Sequence, residues 1–186
     1  MYEPELIIRL LNKAKIKFIV MGTHGIGGWR SEPRATHDVD CLVALKDYAK
    51  AVHVVREAFP ELEVADWKVV TRFRDTVTGN VVIDLMMPMD DLFKSAFRHT
   101  VAIGKSHYVP NLELALVSKF AAMISPYRDH EKKHLDANDF INMVRRNRKE
   151  LNRPNLRALG NKVYNGGGKE ILKMIDNVLA GRPINV

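Results

Sequence analysis

A chain of 186 residues, 46% hydrophobic and 27% charged, has the length to bury a core as one domain or a core with a modest appendage, and its ordinary globular composition excludes disorder as its general state. Twenty-nine Lys and Arg against 22 Asp and Glu leave a formal charge of +7, which favours phosphate-bearing partners such as nucleotides or nucleic acid without selecting among them. Cys41 is the only cysteine, so an internal disulfide is excluded and a reducing, cytoplasmic setting is expected; the absence of a leader-like start and of any run near the roughly 20 apolar residues of a membrane helix predicts a soluble chain with no membrane partner.

In chain order, the spacing of Leu6, Ile7, Leu10, Leu11 and Ala14 predicts an amphipathic helix over residues 5–14, with Pro4 in its first turn. A β-rich run over 15–21 follows and ends at Gly22. Thr23 is a candidate helix N-cap there, and Gly25, Gly27 and Gly28 would let a short helix or loop approach the sheet. A second strand is expected after Pro33, over residues 38–44, then a helix over 46–59 stopped by Pro60. Residues 69–74 and 81–86 read as two strands joined by a hairpin connection over 75–80. Beyond Pro110 the pattern turns helical, with segments at 112–124, 130–146, 155–164 and 169–179, and the boundary is placed near Val109.

In a strand over 38–44 the period of two puts Asp38 and Asp40 on one face. Two carboxylates that close repel one another unless a cation lies between them, and hard oxygen donors suit divalent metal. Asp-x-Asp is ordinarily a solvated pair or a turn. What raises it above that reading is Asp84, a third acid inside the apolar run Val81-Val82-Ile83-Asp84-Leu85-Met86, where a lone buried carboxylate would be costly. Three acids on neighbouring strands could hold two divalent ions.

Three other motifs compete. His130-Glu131-Lys132-Lys133-His134 satisfies the His-Glu-x-x-His zinc-protease pattern, but its charged first turn and the lack of an evident third ligand favour a solvated helix start. Gly166-Gly167-Gly168-Lys169 lacks phosphate-loop spacing and a preceding strand, and reads as a flexible turn between helices. Arg145, Arg146, Arg148, Lys149, Arg153 and Arg157 form a basic tract that is either the wet face of helices or a hold on an RNA backbone, with no aromatic stacking partner in it.

Met21-Gly22-Thr23, Arg34-Ala35-Thr36-His37-Asp38-Val39-Asp40 and Ile83-Asp84-Leu85 together resemble the nucleotidyltransferase superfamily, with the fold of DNA polymerase beta, and within it the AbiEii-type abortive-infection toxins. The likeness continues through Leu112-Glu113-Leu114, Lys119, Arg128, Lys133, Asp136 and Asp139, to about Val144. The resemblance implies an α/β (α+β) fold: a mixed-sheet nucleotidyltransferase core over 1–109 flanked by helices, and a C-terminal helical region over 110–186 that completes the nucleotide cleft. It further implies that Asp38, Asp40 and Asp84 are catalytic and hold two Mg2+ ions, Asp84 also helping to deprotonate the attacking hydroxyl. Gly22, Thr23, Arg34, Thr36 and Lys119 would contact the nucleoside triphosphate; Thr23 departs from the Gly-Gly or Gly-Ser usual at that turn.

The expected activity is transfer of a nucleoside monophosphate from an NTP to an acceptor hydroxyl with release of pyrophosphate. The acceptor would be RNA (tRNA included), a protein or a small molecule such as an antibiotic. The setting implied is a toxin-antitoxin or phage-defence system with a cognate antitoxin. The alternatives are a non-catalytic nucleic-acid-binding or antitoxin-like member of the same fold and, more distantly, a zinc metalloprotease.

Overall fold

The computed structural model describes residues 3–32 and 34–184; Pro33, expected to precede the second strand, and the two residues at each end of the chain lie outside the described residues. Two compact units are present, one formed by residues 3–25, 34–89 and 93–110, the other by 26–32, 90–92 and 111–184.

In the first unit, helix α1 (Pro4–Lys13) leads into strand β1 (Phe18–Val20), and the short helix α2 (Gly22–Ile26) follows at once. Strand β2 (Val39–Val43), helix α3 (Tyr48–Ala58), strands β3 (Glu63–Trp67), β4 (Val70–Arg74) and β5 (Val81–Met86), helix α4 (Asp91–Ala96) and a hairpin of β6 (Thr100–Ile103) and β7 (His107–Pro110) complete the order. Among the described residues five strands form one mixed sheet in the order β1-β2-β5-β4-β3, with β2 and β5 parallel and every other pair antiparallel. The longest apolar run, β5, takes the centre of the sheet. Alternation turns Val39, Cys41, Val43, Ile83, Leu85 and Phe73 into a core with Ile7, Ile8 and Leu11 of α1 and Ala51 and Val55 of α3. The polar positions between them point to the opposite face.

Strand β3 and the β6–β7 hairpin are absent from the sequence reading. Glu63, Asp66 and Trp67 are exposed on an edge strand, and Val101, Ala102 and Ile103 are exposed in a two-stranded ribbon, so neither segment carries the alternation that marks a half-buried strand. The connection over 75–80 does close a hairpin between β4 and β5, with Asp75 N–H donating to the Asn80 carbonyl at 2.9 Å.

The second unit is helical: α5 (Leu112–Ile124), α6 (His130–Arg146), α7 (Arg153–Val163) and α8 (Gly167–Leu179). Leu112, Leu114, Ala115, Leu116, Val117, Phe120 and Met123 are buried, so α5 is covered on most of its circumference and forms the centre of this unit. Side-chain caps fix three helix starts: Asn111 accepts from Leu114 N–H, Asp129 from Glu131 N–H, and Asn152 from Asn155 N–H. Only the first glycine of the run belongs to the turn between the helices. Gly166 sits at φ 103° as the cap, and Gly167 and Gly168 open α8, packed on α7 so closely that a Cβ at Gly168 would lie 2.3 Å from the Arg157 carbonyl.

Candidate active site

The acids are placed by sheet register. β2 begins at Val39, so Asp38 stands just ahead of the strand instead of inside it, while Asp40 is in the strand and pairs with Asp84 on β5. Paired residues on adjacent strands share a face, about 4.8 Å apart along the hydrogen-bonding direction. Across the next ladder Asp84 faces Arg72 of β4, whose Nε lies 3.5 Å from Asp84 Oδ1. Asp40, Asp84 and Arg72 thus form one row across three strands, on the face away from the α1–α3 core.

Gly22 closes the row on the other side. Met21 N–H donates to the Asp40 carbonyl at 2.8 Å, and Gly22 turns into α2 with φ 56°. A Cβ there would stand 1.8 Å from Asp40 Oδ2. The position therefore requires glycine twice, for the left-handed backbone and for the space its missing side chain leaves to the carboxylate. Gly25 lets the short helix sit on the end of β1, since a Cβ there would be 2.4 Å from the Val20 carbonyl.

The connection into β2 is tied to the same place. An Arg34 Nη2 group donates to Thr23 Oγ1, and the Thr36 hydroxyl donates to Asp38 Oδ1. Burial holds the His24 imidazole below its ordinary pKa, opposed by the negative charge of Asp38. Cys41, next to Asp40 but facing the core, has its thiol pushed up by burial, so it is a packed and unreactive neighbour.

Two contributors escape the sequence reading. Arg72 looks like an ordinary charged residue on an alternating strand, and only the β4–β5 register puts it beside Asp84. Tyr48 of α3 donates from its hydroxyl to the Leu85 carbonyl at 2.9 Å and lies 2.8 Å from Thr71 Oγ1, pinning β5 and β4 from behind. Its sole signal is a tyrosine in an otherwise aliphatic helix stripe.

The magnesium expected here meets a suitable donor set: carboxylates are hard oxygen ligands, and Asp40 and Asp84 stand as lateral neighbours on one face. Among the described residues no group of three or more His, Cys, Asp and Glu side chains is gathered as a metal site. His130, Glu131 and His134 are exposed at the start of α6, the two imidazoles edge to face at 4.5 Å.

Lys119 belongs to the helical unit. Its ammonium lies 2.7 Å from Asp136 Oδ1 and 2.8 Å from Asp139 Oδ2, Arg128 reaches Asp136 at 2.9 Å, and Arg30 reaches Asp139 at 3.0 Å. Lys119, Arg128, Asp136 and Asp139, all part of the family likeness, are thus joined in one ion network. The basic tract is divided: Arg146 donates to the Arg30 carbonyl, Arg153 forms a two-point pair with Asp176, and Arg145, Arg148, Lys149 and Arg157 are exposed. No helix among the described residues is long and apolar enough to cross a membrane.

No protein-family model matches the sequence, and comparison with curated proteins finds no match. Solved structures do match. An antigenic nucleotidyltransferase-like protein from Paracoccidioides brasiliensis is 18% identical, with a TM-score of 0.52 over 96% of this chain and 90% of its own. The antibiotic-resistance factor ANT(2'')-Ia is 9% identical, with a TM-score of 0.54 over 95% of this chain and 94% of its own. The Megavirus polyadenylate synthase is 8% identical, with a TM-score of 0.54 over 97% of this chain and 43% of its own. Likeness at these identities is likeness of fold, and the fold of this chain is that of the nucleotidyltransferases.

Proposed function

We propose that the protein is a magnesium-dependent nucleotidyltransferase that moves a nucleoside monophosphate from an NTP to an acceptor hydroxyl. The observation that carries this reading is the row Asp40, Asp84 and Arg72, with Gly22 set against Asp40 so that no side chain covers the carboxylate. Two acids on adjacent strands of one face are poor as structure and useful as ligands. Magnesium bound there supplies charge neutralisation for the triphosphate and for the in-line displacement at the α-phosphorus.

The chain's own groups do the remainder. Asp38, Asp40 and Asp84 would hold the magnesium, Asp84 would also take the proton of the attacking hydroxyl, and Arg72 offsets the carboxylate charge so that Asp84 can stand beside Asp40. The acceptor oxygen bonds to the α-phosphorus, the bond to the β-phosphate breaks, and pyrophosphate leaves. Thr23 and Arg34, tied together at the first turn of α2, are the contacts for the triphosphate, with Thr36 holding Asp38 in place. The AbiEii-type motif favours an RNA or protein acceptor in a toxin-antitoxin or phage-defence setting, and a single buried cysteine suits a cytoplasmic protein.

Thermal unfolding tests it. A ligand bound only by the folded state at a hundred times its dissociation constant adds about 2.7 kcal/mol. Nucleoside triphosphate with magnesium is expected to raise the Tm of the parent, and Asp84→Asn, which keeps side-chain volume and removes the charge, to lose that rise. An equal rise in both proteins contradicts the assignment, as does metal stabilisation that depends on His130 and His134.

A further inference from the structure

The face shared by α7 and α8 collects charge that the transfer reaction does not use. Two adjoining clefts that share Arg157 and Leu172 are lined by Arg153, Arg157, Lys169, Lys173 and Arg182, against one acid among the described residues, Asp176. Asp176 is held by Arg153 at 2.8 and 3.0 Å. Among the described residues no carboxylate pairs with Arg157, Lys169 or Lys173. These side chains come from separate stretches of sequence. The linear tract supplies only Arg153 and Arg157, and the fold adds the other three by bringing α8 against α7 at Gly160 and Gly168.

The shape of the cluster selects its partner. Lys169 and Lys173 are one helical turn apart on α8, and Arg182 lies beyond the helix end, so the cations extend over roughly 15–20 Å at 1.5 Å per residue. That is too long for one phosphate group and suits a repeating one. Among the described residues no aromatic side chain lines either cleft, so they offer no platform on which unpaired bases could stack. We propose that the α7–α8 face binds the phosphodiester backbone of a double-helical nucleic acid without regard to sequence. This interaction surface goes beyond the nucleotidyl transfer site and is built from none of its residues.

The test is fluorescence anisotropy of the full chain with end-labelled duplex RNA, duplex DNA and single-stranded RNA between 50 and 200 mM salt. Neutralising about four phosphates gives a slope of log K against log salt of about −3.6 on a duplex, and each removed cation reduces its magnitude by about 0.9. The Lys169→Gln, Lys173→Gln double variant, altered only at exposed cations, is expected to keep the parent's melting curve, to lose about 1.8 from that slope, and to weaken equally on unrelated sequences. Asp84→Asn is expected to bind like the parent, so failure of the transfer reading leaves this result untouched. Comparing the two duplexes distinguishes RNA from DNA as the source of the backbone. An unchanged slope in the double variant, preference for single strands, or binding to phosphatidylserine vesicles without binding to either duplex overturns the proposal.

Discussion

Replacing Lys119 by Met separates two roles that the sequence cannot tell apart. Methionine keeps an unbranched apolar stem and removes the ammonium that Asp136 and Asp139 share. Both carboxylates are sealed from water, at 3% and 1% side-chain exposure, so neither can be rehydrated in place. Breaking a buried pair by deleting one partner costs about 3–5 kcal/mol. Asp136 retains Arg128, 40% exposed, and Asp139 retains Arg30 at 3.0 Å, so the lower end of that range, about 3 kcal/mol, is expected. For a chain of this length that is a fall in Tm of about 6–12 °C. Adding Asp139→Asn removes a buried charge together with its counter-charge and is expected to recover part of the loss. Circular dichroism melts of the parent, the single and the double variant measure all three, and calorimetry with a non-hydrolysable nucleotide, at a temperature where each is folded, measures the other role. A Lys119→Met loss below about 0.5 kcal/mol, the scale of ordinary surface changes, together with weakened nucleotide binding, would refute the ion-network reasoning and assign Lys119 to the triphosphate.

Gly22→Ala is expected to cost about 1–3 kcal/mol through its left-handed backbone and, by driving a methyl into Asp40, to abolish the thermal response to nucleotide and magnesium; a retained response contradicts the role given to that contact. Asp40→Asn is expected to hold or raise the metal-free Tm, because it relieves repulsion with Asp84, while transfer is lost; a clear fall in Tm with transfer retained would make Asp40 structural. His24 titrates below its ordinary range because burial outweighs the pull of Asp38 and Glu5. The unfolded chain then takes up this proton at higher pH than the folded one, so its contribution to stability is present above the ordinary histidine value and is lost as pH falls through the depressed one. Magnesium at Asp38 is expected to lower the His24 titration further, by cancelling the larger of the two negative charges that raise it; an NMR titration that is unmoved by magnesium contradicts a cation at Asp38.

What could be read in advance follows from how local each signal is. The spans of α5 and α6 stand where periodicity puts them, because helix periodicity is a signal carried within a few residues; the caps Asn111 and Asp129 are visible only in the structure. Asp84 in the central strand was legible because a carboxylate inside an apolar run is costly unless a cation or a counter-charge meets it. Arg72 was not, because its place beside Asp84 depends on the β4–β5 register, and the register is set by contacts between strands. The same holds for Lys119, whose helix face looks apolar until α6 brings Asp136 and Asp139 to it, and for the α7–α8 face, whose five cations are scattered between residues 153 and 182. Gly166 to Gly168 misled for a related reason: a glycine run that opens a close helix contact and one that forms a loose turn have the same composition.

Whether Asp40 and Asp84 make this face a nucleotidyl-transfer site is tested most directly by product analysis. The protein is incubated with each of the four nucleoside triphosphates, labelled at the α-phosphate, with magnesium and total cellular RNA or protein. Labelled acceptor and stoichiometric pyrophosphate are expected with the parent, and neither with Asp40→Asn or Asp84→Asn. Labelled product from both variants at the parent's rate, or no pyrophosphate from the parent with any triphosphate and either acceptor pool, would contradict the assignment.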